Sequence, residues 1–513
     1  MSSPSPSWPG SLLWVANQVA LSATPPSCFP DLNLDQIVDG ICAGHPEPWL
    51  RELLYTPLTS IAAVDYRQRA LRELERPELR AAADGFLAAM ELVRQRQEQV
   101  ARLRSDPQRW IWFLNSTTSY LEAVESLAAR LEGLQLSSAS WLGLRSYLRA
   151  YRASAAYQAL LGDCALRRGD LDSIRYQLRI RGLRVTVSKG AGGEELAAAV
   201  SATLAKFEAD SEPPPAAAGS RALQMNHVEE QILDLVVQLH PEVFSELASY
   251  QETYSAYLDP VVERLSRELL FATAYLNYLA PLQRAELPLC YPAVSEASDL
   301  AFEEAFDLAL AQQLVAEGQP VVRNSLQMQP GERVLVITGP NQGGKTTFLR
   351  LLGQLHYLAA LGGPVPGSSA EVLLADRVFT HFEVGEQTAD LSGKLHDDLV
   401  RLARILSAAT PRSLILLNEV FSSTALEDAL FLGTKVLEQI GRIGALCAYV
   451  TFVDELTSLG LWTVSLVSAL DPEQPLRRTF KILRRPADGR SLALSVAERH
   501  RITGDWILKR VAP

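Results

Sequence analysis

The stretch Gly339-Pro340-Asn341-Gln342-Gly343-Gly344-Lys345-Thr346-Thr347 limits what this chain can fold into more than any other. It follows the apolar run VLVIT (Val334 to Thr338) and opens the helical pattern FLRLLGQLHYLAAL, so a buried strand passes through a glycine-rich turn into a helix. Glycines let successive backbone N–H groups turn inward, and the helix N-terminus adds the positive end of its dipole. Lys345 offers a compact cation to β- and γ-phosphate oxygens and Thr346 a hydroxyl to Mg²⁺, the arrangement of a P-loop.

A second apolar strand, Ser413 to Leu417, ends in Asn418-Glu419. In P-loop sites that position holds Mg²⁺ through an aspartate and orients the attacking water through a following acid. Glu419 is the candidate catalytic acid. Asn418 supplies a neutral carbonyl instead, so it is expected to act on the metal through water and to stabilise it less. Between the two strands, Leu391-Ser392-Gly393-Lys394-Leu395 precedes a helix expected over His396 to Ala409. Read alone this is a helix cap. Read in series with the other motifs, Ser392 and Gly393 resemble the signature loop that, in head-to-tail ATPase dimers, closes the partner subunit's nucleotide site. The histidines show no ligand spacing and no GxSxG or Cys/His pairing occurs, so metal catalysis and hydrolase triads lack residues.

Elsewhere the pattern is helical from about Asp31 to Leu166 and again from Met225 to about Leu282. Between them, IRYQLRIRGLRVTVS (Ile174 to Ser188) alternates, which implies two strands joined at Gly182 with a basic face of Arg175, Arg179, Arg181, Arg184 and Lys189. A solvated hairpin face and a phosphate-touching module both fit it. SEPPPAAAGS (Ser211 to Ser220) reads as a connector. After about Glu286, short β-rich runs alternate with helices, the signature of a mostly parallel sheet. The expected organisation is therefore multidomain: a flexible tail (1–30), an all-α core and lever region (31–166), a strand-containing insertion and linker (167–224), returning lever helices (225–285) and an α/β P-loop ATPase domain (286–513).

Lys+Arg 48 against Asp+Glu 59, a net charge of -11, exclude a bulk polycation, so any nucleic-acid contact must be local. The longest apolar run, Leu269 to Leu282, is short of the ~18 residues that span a bilayer and is broken by Asn277, so no membrane partner is expected. Five scattered cysteines without a CxxC pair exclude a disulfide framework and fit a reducing cytoplasm.

GPNQGGKTTFLR, Val365-Pro366-Gly367, Asp376 to Thr380, SLILLNEVFSST and Val450 to Leu456 stand in the order found in the ATPase domain of MutS proteins, and the resemblance covers about Glu286 to Thr503. It continues more weakly upstream, where LRELLYTPLTSIAAVDYRQRAL is similar to the opening of the MutS core and lever helices. The short MutS-related proteins are most alike. The resemblance implies ATP and Mg²⁺ as ligands, a homodimer with two composite sites, and DNA as the object of the levers. Three features depart from the family pattern: no room precedes Asp31 for a mismatch-reading domain, Asn418 replaces the Walker B aspartate, and Phe452 replaces the histidine near the γ-phosphate. Losing one preorganised contact to developing charge costs on the order of 10²–10³ in turnover, so nucleotide binding with slow hydrolysis is expected. A second expectation, from a different class, is a nucleotide-gated scaffold for a protein partner with little ATPase activity and no DNA ligand.

Overall fold

The computed structural model describes residues 8–15, 20–181, 184–190, 227–297, 300–382, 391–422, 424–470 and 478–487, without the side chains at 180, 181, 184, 185, 227, 228 and 391–394. The connector at 211–220 and most of the closing segment lie outside them. The helices are α1 (Phe29–Leu32), α2 (Leu34–Ile41), α3 (Pro48–Leu54), α4 (Ile61–Leu74), α5 (Pro77–Arg102), α6 (Asp106–Glu132), α7 (Ala139–Arg152) and α8 (Ala155–Ser173). The hairpin β1 (Tyr176–Arg181) and β2 (Arg184–Lys189) follows, then α9 (His227–Leu239), α10 (Pro241–Thr253) and α11 (Pro260–Arg284). Beyond it come β3 (Leu289–Cys290), β4 (Ala293–Ser295), β5 (Ala301–Ala305), α12 (Leu308–Ala316), β6 (Asn324–Gln327), β7 (Val334–Thr338) and α13 (Lys345–Ala360). The chain continues through β8 (Val365–Pro366), β9 (Ser369–Leu373), β10 (Val378–Phe382), α14 (Leu391–Ala408), β11 (Leu414–Asn418) and α15 (Leu426–Ile443). β12 (Leu446–Val450), β13 (Thr463–Leu470) and β14 (Arg478–Arg484) complete the described elements.

These form two compact units, Met1–Arg76 with Ser137–Trp141 and Arg267–Pro513, and Pro77–Leu136 with Leu142–Ser266. The helices expected as one stretch over 31–166 are thus divided between the two.

In the first unit a six-stranded sheet runs β10-β11-β12-β7-β13-β14, all parallel except the last pairing. Every residue of β7, β11 and β12 is buried, as near-continuous apolar runs require of parallel strands covered on both faces. One face packs on α14 and α15 through Ile415, Leu417, Tyr449, Val336 and Leu437. Smaller sheets, β4-β9-β5-β6 and β3-β8, were not anticipated. Their strands are two to five residues long, too short to show a period.

α13 is the buried axis of this unit: every residue from Leu351 to Ala360 is buried. A fully buried leucine contributes about 1.5–3 kcal/mol, which is why this helix carries four between Leu349 and Leu355. Its last turn meets Arg67 of α4, a fully buried guanidinium that donates to Leu361 O at 3.0 Å and to Leu13 O at 3.2 Å. The Arg67 group also lies 4.2 Å from the Trp14 ring centroid, and burial pushes its pKa down to about 9. Residues 8–15, expected within a flexible tail, are held: Leu12 and Leu13 are buried, and Glu268 accepts from Ser11 Oγ and Leu12 N, both at 2.6 Å. The physical reason is the carboxylate of α11, which needs donors once buried and finds them in this segment.

In the second unit α5 and α6 pair along their length and a tyrosine cluster joins α6, α7 and the start of α11. Tyr120 and Tyr151 share a hydroxyl hydrogen bond of 2.8 Å, and Tyr147 donates to Asp259 at 2.7 Å. Among the described residues no helix is long and apolar enough to cross a membrane, and the five cysteines form no disulfide.

Fully buried in α13, His356 has its pKa pushed down to about 4 from the ordinary 6.5. The folded state then binds fewer protons than the unfolded chain between these values, so stability falls as pH drops from 6.5 towards 4, by up to about 3 kcal/mol. His356→Leu should flatten this dependence in urea unfolding measured at pH 7 and pH 4.5; an unchanged slope contradicts it.

Candidate functional site

The glycine-rich turn leaves the carboxyl end of β7, which is flanked by β12 and β13, so it sits where ligands of parallel sheets bind. Its backbone needs its glycines. Gly339 and Gly344 adopt φ of 119° and 91°, and a Cβ at Gly343 would stand 2.3 Å from Ser468 Oγ. Ser468 of β13 donates to Gly343 O at 2.7 Å, and Arg478 of β14 donates to Gln342 Oε1 at 2.6 Å. Two strands therefore hold the turn from the side opposite β12.

Lys345 is buried, and its Nζ donates to Gly339 O at 2.9 Å and Pro340 O at 3.1 Å. Desolvation holds its pKa below the usual lysine value; the nearby Glu419 carboxylate opposes that shift and Arg478 reinforces it. Thr346 Oγ1 donates to Asn418 Oδ1 at 3.0 Å, which joins the first turn of α13 to the end of β11. Glu419 follows with φ of 53°, an uncommon backbone for a non-glycine residue, fixed by its N–H donating to Val450 O at 2.8 Å. Strain of this kind collects at functional sites.

Lys345, Thr346, Thr347 and Glu419 open into a cavity of about 880 Å³. Its other wall is apolar, formed by Phe306, Leu310, Leu314, Val321 and Phe480. The volume suits a ligand with a charged and an apolar end. Of the residues chosen from sequence, Gln342, Gly344, Lys345, Thr346, Thr347 and Glu419 line this cavity, and Asn418 reaches it through Thr346. Ser392 and Gly393 fall in the first turn of α14, which begins at Leu391 and not at His396; their side chains lie outside the described residues. Phe452, just past β12, is 48% exposed. Sequence reasoning missed Ser468, Arg478, Phe480 and the wall from Phe306 to Val321, for which no motif or period gives a signal.

The hairpin belongs to the other unit. β1 and β2 pair antiparallel as expected, but the register sets Lys189 opposite Tyr176, on the face of Tyr176 and Leu178. Directly opposed residues share a face, so Lys189 is not on the face of Arg179. Arg175, Arg179 and Lys189 are exposed; the side chains of Arg181 and Arg184 lie outside the described residues. Among the described residues no His/Cys/Asp/Glu cluster could hold a metal ion by itself.

A turn of glycines thus joins a buried strand to a buried helix, and the Thr346 hydroxyl of that helix meets the Asn418 amide beside the Glu419 carboxylate at the end of β11. Residues 335–500 match the family model of MutS domain V. The DNA mismatch repair protein MutS of Zymomonas mobilis subsp. mobilis is 37% identical over 147 residues, 28% of this chain. The matched part spans 17% of that relative's length.

Gly343→Ala should destabilise the protein by about 1–3 kcal/mol through overpacking against Ser468. In a Ser468→Ala background the same change should cost less, because the hydroxyl it meets is gone; equal costs in chemical denaturation refute the contact.

Proposed function

We propose that the chain is a MutS-like, ATP-binding, dimeric nucleotide switch that hydrolyses slowly and acts on DNA. The observation that carries this reading is the convergence of Lys345, Thr346, Asn418 and Glu419 on one cavity with a charged and an apolar end. The N–H groups of Gly344 to Thr346 and the Lys345 ammonium would take the phosphates, and the apolar wall the base. Thr346 and Asn418 present only oxygen donors, which fits Mg²⁺ held with few protein ligands and several waters. Held there by Thr346 and Asn418, Mg²⁺ would neutralise charge on the phosphates. Glu419 orients the attacking water and accepts its proton. Asn418 gives that site an amide oxygen in place of a carboxylate, and Phe452 gives the γ-phosphate side no hydrogen-bond donor, which together support slow turnover.

In this reading 286–513 is a P-loop ATPase domain, and 31–166 with 225–285 are core and lever helices around the insertion at 167–224. Two subunits close head to tail, each offering Ser392 and Gly393 to the other's nucleotide. Arg175, Arg179, Arg181 and Arg184 are the proposed DNA contacts; Lys189 lies on the other face of the hairpin. The alternative, a nucleotide-gated scaffold for a protein, is favoured by the same Asn418 and Phe452 and by the net charge of -11.

MgATP binding, turnover and sedimentation of wild type and variants test the reading. Lys345→Ala should weaken MgATP binding more than tenfold, and Glu419→Gln should lower turnover on the order of 10²-fold or more and accumulate an ATP-dependent dimer. Asn418→Asp should raise kcat. Tight MgATP binding with no turnover in the wild type selects the scaffold, and no MgATP binding sinks both.

Because bound phosphate favours the charged lysine, MgATP binding takes up a proton where Lys345 is partly neutral. Affinity should therefore fall as pH rises, beginning below the usual lysine range. DNA binding should weaken steeply with salt, and charge reversal at Arg179, Arg181 and Arg184 should flatten that dependence; salt-independent binding counts against phosphate contacts.

A further inference from the structure

α1 is only four residues long, yet it is fastened to one stripe of α13. Arg350, Gly353, Gln354 and Tyr357 stand at i, i+3, i+4 and i+7, the spacing of a single helix face. Arg350 Nε donates to Asp31 O at 3.0 Å and Gln354 Nε2 to Leu32 O at 2.9 Å. These carbonyls end a short helix and lack intrahelical donors, so they are available to a neighbour. The Phe29 ring meets Tyr357 edge-on with centroids 5.1 Å apart. At Gly353 a Cβ would stand 2.5 Å from Leu32 Cδ2, so the notch that seats α1 requires glycine.

The Asp31 side chain reaches a third element. Its Oδ2 accepts from Thr380 Oγ1 at 2.6 Å, and Arg401 Nη2 of α14 lies 3.4 Å from the same oxygen while donating to Thr380 O at 2.9 Å. Among the described residues β10 is the edge of the sheet, and Arg401 lies against that edge. On α14 one turn earlier, Asp398 Oδ1 stands 2.9 Å from His381 Nε2 of the same strand. Asp31 thus joins the helix that begins at Lys345 to the helix whose first turn carries Ser392 and Gly393. The pair is partly exposed, with side chains 40% (Arg401) and 20% (Asp31) accessible, and pairs of that kind add little to stability. Their effect is on geometry.

We propose that Asp31 is a positioning residue that couples α13 to α14, so that nucleotide taken at the first turn of α13 shifts the first turn of α14. This rests on the nucleotide reading above. α13 is buried through its last ten residues and can move only as a body, and α1 moves with it. Asp31 and Arg401 then carry the displacement around the sheet edge.

Hydrogen–deuterium exchange over residues 391–401 of the full chain, with and without MgATP, tests the coupling in wild type, Asp31→Asn, Arg401→Met and the double variant. MgATP should change wild-type exchange there several-fold. Each single variant should abolish most of that change while its MgATP Kd stays within about threefold of wild type, and the double variant should go no further than the singles, as members of one linkage do. Wild type that binds MgATP with no change over 391–401, or variants that respond as wild type does, overturns the coupling alone. Wild type that binds no MgATP overturns the nucleotide reading itself and the coupling with it. Thermal unfolding checks each variant, and Arg401→Met carries the test should Asp31→Asn not fold.

Discussion

A helix that begins at a glycine-rich turn and touches no solvent along its last ten residues sets the terms for the first unit. Buried backbone must be satisfied at both ends, and here the ends are met differently. At the start, left-handed glycines and side chains from β13 and β14 hold the turn, and the Lys345 ammonium donates to its carbonyls. At the finish, the Arg67 guanidinium accepts the role of cap, a cation placed where the helix dipole favours one. The same burial keeps His356 neutral and forces glycine at 353, where another helix crosses closely.

The chemistry at the head of that helix is a matter of one atom type. Thr346 and Asn418 meet through a neutral hydroxyl–amide hydrogen bond, whereas a carboxylate at 418 would add a full charge beside the phosphate oxygens. An amide preserves the geometry of the strand end and the orientation of Glu419 while weakening the field. On the function proposed above, such a site would keep the means to recognise a nucleotide better than the means to cleave it. That asymmetry favours a protein that reports which nucleotide it holds over one that consumes it quickly.

The parts of this architecture that were legible in the sequence are those with dense local signals. VLVIT, SLILLN and LCAYV are continuous apolar runs, and such runs are buried parallel strands or nothing stable. The glycine-rich turn declares itself through residue types that few other conformations need. The alternation after Ile174 gave the hairpin, but not its register, so Lys189 was put on the wrong face; a backbone pairing is a long-range fact that one strand does not encode. The docking of α1, the burial of Leu12 and Leu13 and the cavity wall from Phe306 to Val321 were illegible for the same reason. Each depends on a partner hundreds of residues away or on strands too short to show a period.

That distance has a consequence for how the molecule is made. Ser11 waits for Glu268, 257 residues later, and Arg67 for Leu361, 294 residues later. Ser11 is thus made long before its contact, and the second unit, lying between these partners in sequence, is complete before the first one can close. Contacts of such separation slow folding, and the Arg67 guanidinium, destined for the interior, spends that interval in water until β7 and α13 arrive to enclose it.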